Sequence, residues 1–329
     1  MPPEWAAHER TWMAWPTAGY TLGDDPAQHR AAREAWAAVA NAIVNFEPVS
    51  MLCNEHDFAV AREFLDPRVE LVAAKLDDAW ARDIGPTFVK ADSGQVAAVR
   101  WIFNGWGQST WASWQNDRRI GKKVAKLAGV DRIDSPLINE GGAIHVNERG
   151  DLLLTETVQL GEGRNEAWTK AEVEAELHLR LGTRRAIWIR RGLTRDYDEF
   201  GTRGHIDIVA CFAPGGKVLV HDQQYPEHPD FAVSHEVIRT LEEAGQLEIV
   251  RVPAPQQLKD SDGFVDYSYI NHYVINGAVI LCAFDDPNDS VAKAILESVY
   301  PGRKVILVDA REIFARGGGI HCITQQQPA

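Results

Sequence analysis

Residues 87–102 read TFVKADSGQVAAVRWI. Apolar and polar positions alternate on either side of Ser93-Gly94, so the stretch predicts a hairpin. Downstream, 117–128 is a helix candidate and Ile133 to Ile138 resembles a short strand. The unit is strand, strand, helix, strand. It recurs at 143–155 (AIHVNERGDLLLT, turning at Arg149-Gly150), with a helix over 166–181 and the strand AIWIR at 186–190. A third copy spans 205–221 around Gly215-Gly216, then a helix with Val237, Ile238 and Leu241 inward, then LEIVRV at 247–252. A fourth turns at Asn276-Gly277, a strong hairpin signal. Its helix carries Val291, Ile295, Leu296 and Val299 at helical spacing, ahead of KVILVDA at 304–310.

The ends supply a fifth unit if a C-terminal strand, Ile320–Thr324, pairs with an N-terminal strand, Trp12–Trp15. A helix with Trp36, Val39, Ala40, Ile43 and Val44 on one face and the strand SMLCN at 50–54 would follow. Closing a ring with strands from both ends removes the exposed edges of an open array. The expected fold is therefore a single α/β domain over residues 1–329: a five-bladed, pseudosymmetric propeller of ββαβ modules, closed by the N- and C-terminal strands. The polar residues that break the apolar pattern fall at equivalent places, near the start of each hairpin: Asp83, Glu140, His205 with Asp207, Asn271, and Cys322. In such a ring they converge near the central axis.

The chain has 329 residues, 45% hydrophobic, and a formal net charge of -13. An acidic surface argues against nucleic-acid or anionic-membrane partners, which need clustered Lys and Arg, and it favours a small cation. No apolar run approaches the roughly 18 residues of a membrane span, and Met1-Pro2-Pro3-Glu4-Trp5 lacks the basic and apolar pattern of a leader. A cytoplasmic location is expected. The four cysteines are widely separated and too few to staple the chain; Cys53, Cys211 and Cys282 sit in apolar strand-like runs and read as buried small hydrophobes.

Cys322 differs, because Gly317-Gly318-Gly319 precedes it and lets backbone approach a ligand closely. Taken alone, such a cysteine would be an inert residue in a glycine-rich turn; the glycines, the flanking His and Gln residues and the repeat position favour a nucleophile. A cysteine nucleophile needs an acid/base, which His205 can supply, and strand alternation from His205 to Asp207 would aim both inward. Glu140 beside Gly141-Gly142, and Asp83 with Trp80 ahead of the first hairpin, add carboxylates; Asp77 and Asp78 read as a solvated acidic loop. Carboxylates around a cysteine raise its pKa and repel anions, a poor setting for acyl transfer. They suit a planar guanidinium, whose paired N–H donors they accept and whose charge favours the thiolate.

These residues resemble the agmatine deiminase family of the guanidine-modifying (pentein) superfamily. The similarity runs through Pro2-Pro3-Glu4-Trp5, Thr11-Trp12-Met13-Ala14-Trp15-Pro16, Trp80-Ala81-Arg82-Asp83-Ile84-Gly85-Pro86-Thr87-Phe88, Glu140-Gly141-Gly142, Gly204-His205-Ile206-Asp207, Tyr269-Ile270-Asn271 and His321-Cys322-Ile323-Thr324-Gln325-Gln326. It implies hydrolysis of agmatine to N-carbamoylputrescine and ammonia through a Cys322 thiouronium, without metal or organic cofactor, by a homo-oligomer. By the same resemblance His205 is the acid/base, Asp83 and Asp207 hold guanidinium nitrogens, Glu140 holds the guanidinium and helps orient His205, and Trp80 packs on the substrate. Asn271 belongs to the expected substrate site.

Departures from the family pattern lie beside that site: Gly201 replaces an acidic residue, Arg203 an Asn or Asp, Ile208 an Asn, Gly319 an Asn, and His272 an aromatic residue. An added arginine and a lost acid would suit a neutral or carboxylated substrate tail. Another alkylguanidine or a guanidino acid is thus the rival substrate, and an amidinotransferase the rival enzyme. A metallohydrolase using His205, Asp207, Glu140 and His145, or a non-catalytic guanidine-binding module, are the readings from other classes.

Overall fold

The computed structural model describes residues 1–329. Four of its sheets repeat one plan, an antiparallel hairpin whose second strand is joined in parallel by a third. They comprise Thr87–Lys90, Val96–Ile102 and Asp131–Ile138; Ile144–Val146, Asp151–Thr155 and Arg185–Ile189; Ala210–Ala213, Lys217–Asp222 and Glu248–Pro253; and Tyr273–Ile275, Ala278–Ala283 and Lys304–Asp309. Parallel neighbours need a crossover, and helices supply it. Middle strands such as Asp151–Thr155, buried at every position, read as continuous apolar runs because helices or other sheets cover both faces.

Local chemistry sets the boundaries. Gly277 turns the fourth hairpin at φ 70, a conformation that costs glycine little. The helix Lys170–Leu181 starts at a capping box, Thr169 with Glu172, four residues later than the sequence pattern suggests. In Asp230–Ala244, Val237, Ile238 and Leu241 are buried as expected. In Asn288–Val299 the inward face is Ala292, Leu296 and Val299, while Val291 is exposed. Apolar residues at 3-4 spacing define two overlapping stripes there, and only one meets the sheet.

The fifth sheet joins the two ends of the chain. His8–Ala14 lies antiparallel to Thr324–Pro328, with Met13 opposite Thr324, and parallel to Val49–Cys53, which pairs on with Glu70–Ala73. The C-terminal strand therefore starts where the sequence places its end, and Ile320–Ile323 form a turn ahead of it. Its core is polar: Gln325, Gln326 and Gln327 are buried, with Gln326 accepting from Arg82 at 2.7 Å and Gln327 from the Trp12 indole at 2.9 Å. Amides, two of them bonded to distant side chains, take the place of the apolar residues that a hydropathy reading seeks.

The helix Pro26–Ile43 buries Trp36 completely, its ring edge-on to Trp80 at 5.5 Å between centroids. Truncating such an indole costs about 3 to 5 kcal/mol, so this contact fixes Trp80 firmly. Cys53, Cys211 and Cys282 are buried strand residues, and burial pushes the thiols of Cys53 and Cys282 up to about 12. No helix is long and apolar enough to cross a membrane.

Candidate active site

Each sequence-selected polar residue occupies the turn just before the first strand of a hairpin, or before the C-terminal strand. Asp83 lies in the short helix Ala81–Ile84, Glu140 caps the turn Gly141–Ala143, and Asn271 and Cys322 lie in turns. His205 and Asp207 flank and enter a one-turn helix, Ile206–Ile208, rather than alternating along a strand. The strand starts only at Ala210, because the Asp196 carboxylate gathers the preceding loop by accepting from Thr202, Gly204 and His205 N–H groups. The two side chains nevertheless reach the same place.

All five candidate side chains are buried: Asp83, Glu140, His205, Asp207 and Cys322. A methyl group on Gly142 would lie 2.6 Å from His205 Nδ1, 2.9 Å from Asp207 Oδ2 and 3.1 Å from Asp83 Oδ1, so these groups surround one small volume. Cys322 Sγ is 3.6 Å from Asp207 Oδ2, and the Asn271 amide donates to it at 3.3 Å. Asp83 Oδ1 accepts from Gly142 N–H at 3.0 Å and Oδ2 from the Trp106 indole at 2.8 Å. His205 Nε2 is 3.3 Å from Glu140 Oε2, and Nδ1 is 3.8 Å from Asp83 Oδ2. His205 Nδ1 and Asp207 Oδ1 are buried without a protein partner.

Trp80 shares this volume through Gly318, whose missing side chain leaves room: a methyl there would sit 2.6 Å from the indole and 3.2 Å from Cys322 Cβ. Gly319 faces Asn271, with space for no side chain, since a Cβ would meet Asn271 Oδ1 at 2.4 Å. Arg203 does not join the cluster. Its guanidinium donates to the Glu162 carbonyl at 3.0 Å. His145 also stands apart from His205 and Glu140; its Nδ1 accepts from Phe212 N–H at 3.2 Å and its ring faces His321. Asp78 is not solvated: it is buried, which raises its pKa to about 6, and the Asp77 and Asp78 N–H groups bond to Asp117.

Electrostatics divide the cluster. Burial opposes charge on His205, but Asp83, Glu140 and Asp207 outweigh it and raise its pKa to about 9. Burial also opposes ionisation of Glu140 and Asp207, yet Arg164 and His205 hold the first below the usual range, and His321 holds the second. Asp83 is pushed up, because burial outweighs the pull of His205 at 3.8 Å. Burial, then Asp207 and Asp83, raise the Cys322 thiol well above its ordinary value. A cation entering between these acids would reverse that balance.

Several supporting residues are not singled out by the sequence pattern. Arg164 Nε bonds both Glu140 oxygens, at 3.0 and 3.1 Å, while Nη2 donates to Thr202 O at 2.8 Å, tying Glu140 to the loop that carries His205. Trp106 stands between two glycines, at φ 54, and only that unusual Gly105-Trp106-Gly107 run hints at its position. Nothing local announces Arg164.

This architecture is the α/β fold of deiminases: the structure superposes on the agmatine deiminase of Enterococcus faecalis with a TM-score of 0.91, at 29% identity, covering 100% of this chain and 95% of that one. A profile described as Porphyromonas-type peptidyl-arginine deiminase matches residues 1–328, and the chain belongs to that family. Agmatine deiminases are among its relatives, as the sequence resemblance implies. The agmatine deiminase of Stutzerimonas stutzeri is 38% identical over 357 residues, covering 100% of this chain and 95% of the relative. A Streptomyces coelicolor protein provisionally assigned as an agmatine deiminase is 57% identical over 334 residues, covering 100% and 98%.

Proposed function

We propose that this chain is an agmatine deiminase, hydrolysing agmatine to N-carbamoylputrescine and ammonia. The observation that carries this reading is the buried volume bounded by Asp83, His205 and Asp207, with the Cys322 sulfur 3.6 Å from Asp207. A guanidinium there gives N–H donors to Asp83, Asp207 and Glu140, and its charge offsets the carboxylates that keep Cys322 protonated. As the cation enters, the Cys322 thiol gives its proton to solvent, and the thiolate attacks the guanidinium carbon. Protonated His205 gives its proton to one nitrogen, the C–N bond breaks and ammonia leaves a Cys322 thiouronium. Neutral His205 then takes a proton from water, hydroxide adds to the same carbon, and C–S cleavage returns the thiolate with the ureido product. No step requires a metal or organic cofactor.

A cavity of about 220 Å3 opens alongside Gly317, lined by Tyr20, Phe200, Asp198, Glu199, Asp262 and Asp266. Its one arginine, Arg195, is paired with Asp260 at 2.6 Å. We assign this cavity to the substrate's tail; its acids and aromatic rings favour a cation, which supports agmatine over a guanidino acid despite Gly201 and Arg203. The pairing of both chain ends in one sheet supports a single domain closed as a five-bladed propeller. A homo-oligomer is what the family resemblance suggests. Ammonia release from agmatine, with guanidino acids and added acceptor amines as comparisons, tests the reading. The expected result is turnover of agmatine that Cys322→Ala abolishes; persistent turnover in that variant, or amidino transfer to the amine, overturns it.

A further inference from the structure

The histidine beside the nucleophile is bonded to a carboxylate at each ring nitrogen. His321 Nδ1 is 2.8 Å from Asp207 Oδ2 and Nε2 is 2.8 Å from Glu4 Oε2, all three side chains being buried. An ionised carboxylate only accepts, so a ring satisfied at both nitrogens by carboxylates must donate twice, as imidazolium. Glu4 is itself held in place: its Oε1 accepts from Val274 N–H at 2.9 Å, and its Oε2 lies 3.5 Å from Arg82. Arg82 Nε donates to the His321 carbonyl at 3.2 Å.

The groups facing the ring come from every element packed on it. Glu4 arrives from the N-terminal segment, Asp207 from the turn before the third hairpin, and Arg82 from the turn before the first. His145 approaches from the second hairpin, with 6.3 Å between ring centroids, and His272 from the turn before the fourth; Cys322 follows in the chain. Burial lowers His145 to about 3 and His272 to about 4, so both stay neutral. Two carboxylates then face two cations, Arg82 and His321. Donor atoms of Glu4, His145 and His321 do lie within 4.8 Å of one another. With Arg82 beside Glu4, however, the charge a metal would bring is already present, and the ring nitrogens of His321 are taken.

The consequence falls on Asp207. Its Oδ2 is shared between His321 and the vicinity of the Cys322 sulfur, while Oδ1 has no protein partner. A bare carboxylate 3.6 Å from sulfur would oppose thiolate formation. We propose that Glu4 and His321 are positioning residues that act through Asp207: the charged ring fixes Oδ2, offsets its charge beside the nucleophile, and leaves Oδ1 facing the guanidinium. This rests on the deiminase reading for its catalytic consequence, although the charge state of the ring does not.

The test uses the full-length protein in three readouts. In histidine labelled with nitrogen-15, the ring signals that disappear in His321→Asn should report both nitrogens protonated at neutral pH. Glu4→Gln, an isosteric change, should lower that ring's titration by about one pH unit or more. The pH curve for alkylation of Cys322 by iodoacetamide should move to higher pH in His321→Asn, because Asp207 is no longer offset. For agmatine turnover, kcat/KM should fall about tenfold or more in both variants, with part of the loss recovered in Glu4→Asp. A neutral His321 at pH about 7, or an alkylation curve unmoved in His321→Asn, overturns the proposal whether or not agmatine is the substrate. Absence of agmatine turnover in the parent protein would instead sink the proposed function, leaving ring and alkylation data to judge this one.

Discussion

Replacing Gly142 by alanine would place one methyl group where the substrate's flat cation is proposed to lie. The added carbon meets His205 Nδ1 at 2.6 Å, Asp207 Oδ2 at 2.9 Å and Asp83 Oδ1 at 3.1 Å. Ordinary contact needs about 3.4 Å, so the imidazole must retreat by about 0.8 Å and both acids by a few tenths. Gly142 has no positive φ, and the three atoms its methyl would meet first all belong to side chains, so the fold itself has little reason to suffer. The equivalent change at Gly141 differs: that methyl would sit 2.3 Å from the Arg82 carbonyl and must move the main chain. Misplacing a reacting group by about 1 Å costs on the order of 10²-fold, or about 2.7 kcal/mol of barrier. We expect Gly142→Ala to lose about that much kcat/KM for ammonia release from agmatine, with a thermal midpoint within a few degrees of the parent. Near-parental kcat/KM in a well-folded Gly142→Ala protein would refute the placement of the guanidinium between these three side chains.

Trp106→Phe keeps the ring and removes the indole donor that Asp83 Oδ2 accepts at 2.8 Å. Losing a bond to a buried acid costs about 1.5 to 3 kcal/mol, so kcat/KM should fall about tenfold or more; unchanged kinetics would separate Trp106 from the site. His221, buried away from the cluster and lowered to about 3 by burial, must be neutral to fold. Its folded pKa lies below the unfolded value of about 6.5, so the stability it carries is complete above that pH and is lost as pH falls toward the folded value. Urea unfolding of the parent and His221→Gln should therefore diverge by about 1 kcal/mol between about pH 6.5 and about pH 5.5, the parent losing more. Parallel curves would contradict a neutral His221.

The repeated ββαβ units were legible because their turns carry glycine and their helices place apolar residues on one face. Asp83, Glu140, His205, Asp207 and Cys322 stood out for a related reason: each breaks an apolar run at the same point of its unit. What hid was polar and distant. The strand Thr324–Pro328 buries glutamines whose partners, Arg82 and Trp12, lie more than 200 residues away in sequence. The run Gly204-His205-Ile206-Asp207-Ile208-Val209 alternates like a strand, yet Asp196 coils its start by capturing three N–H groups. Arg203 looked like a specificity residue from its place in the chain, but its side chain turns to the Glu162 carbonyl. Alternation and composition report what a residue prefers; they do not report where a long side chain finds its hydrogen bonds.

The pairing of Met13 with Thr324 also has a kinetic side. It joins segments about 310 residues apart, and closing so long a loop from an unstructured chain costs on the order of 5 kcal/mol of entropy before any ladder bond forms. Such contacts assemble late unless the intervening units have already shortened the path. The turn holding Cys322 adjoins this ladder, so partly assembled molecules would contain most of the repeated units before they could present an ordered nucleophile.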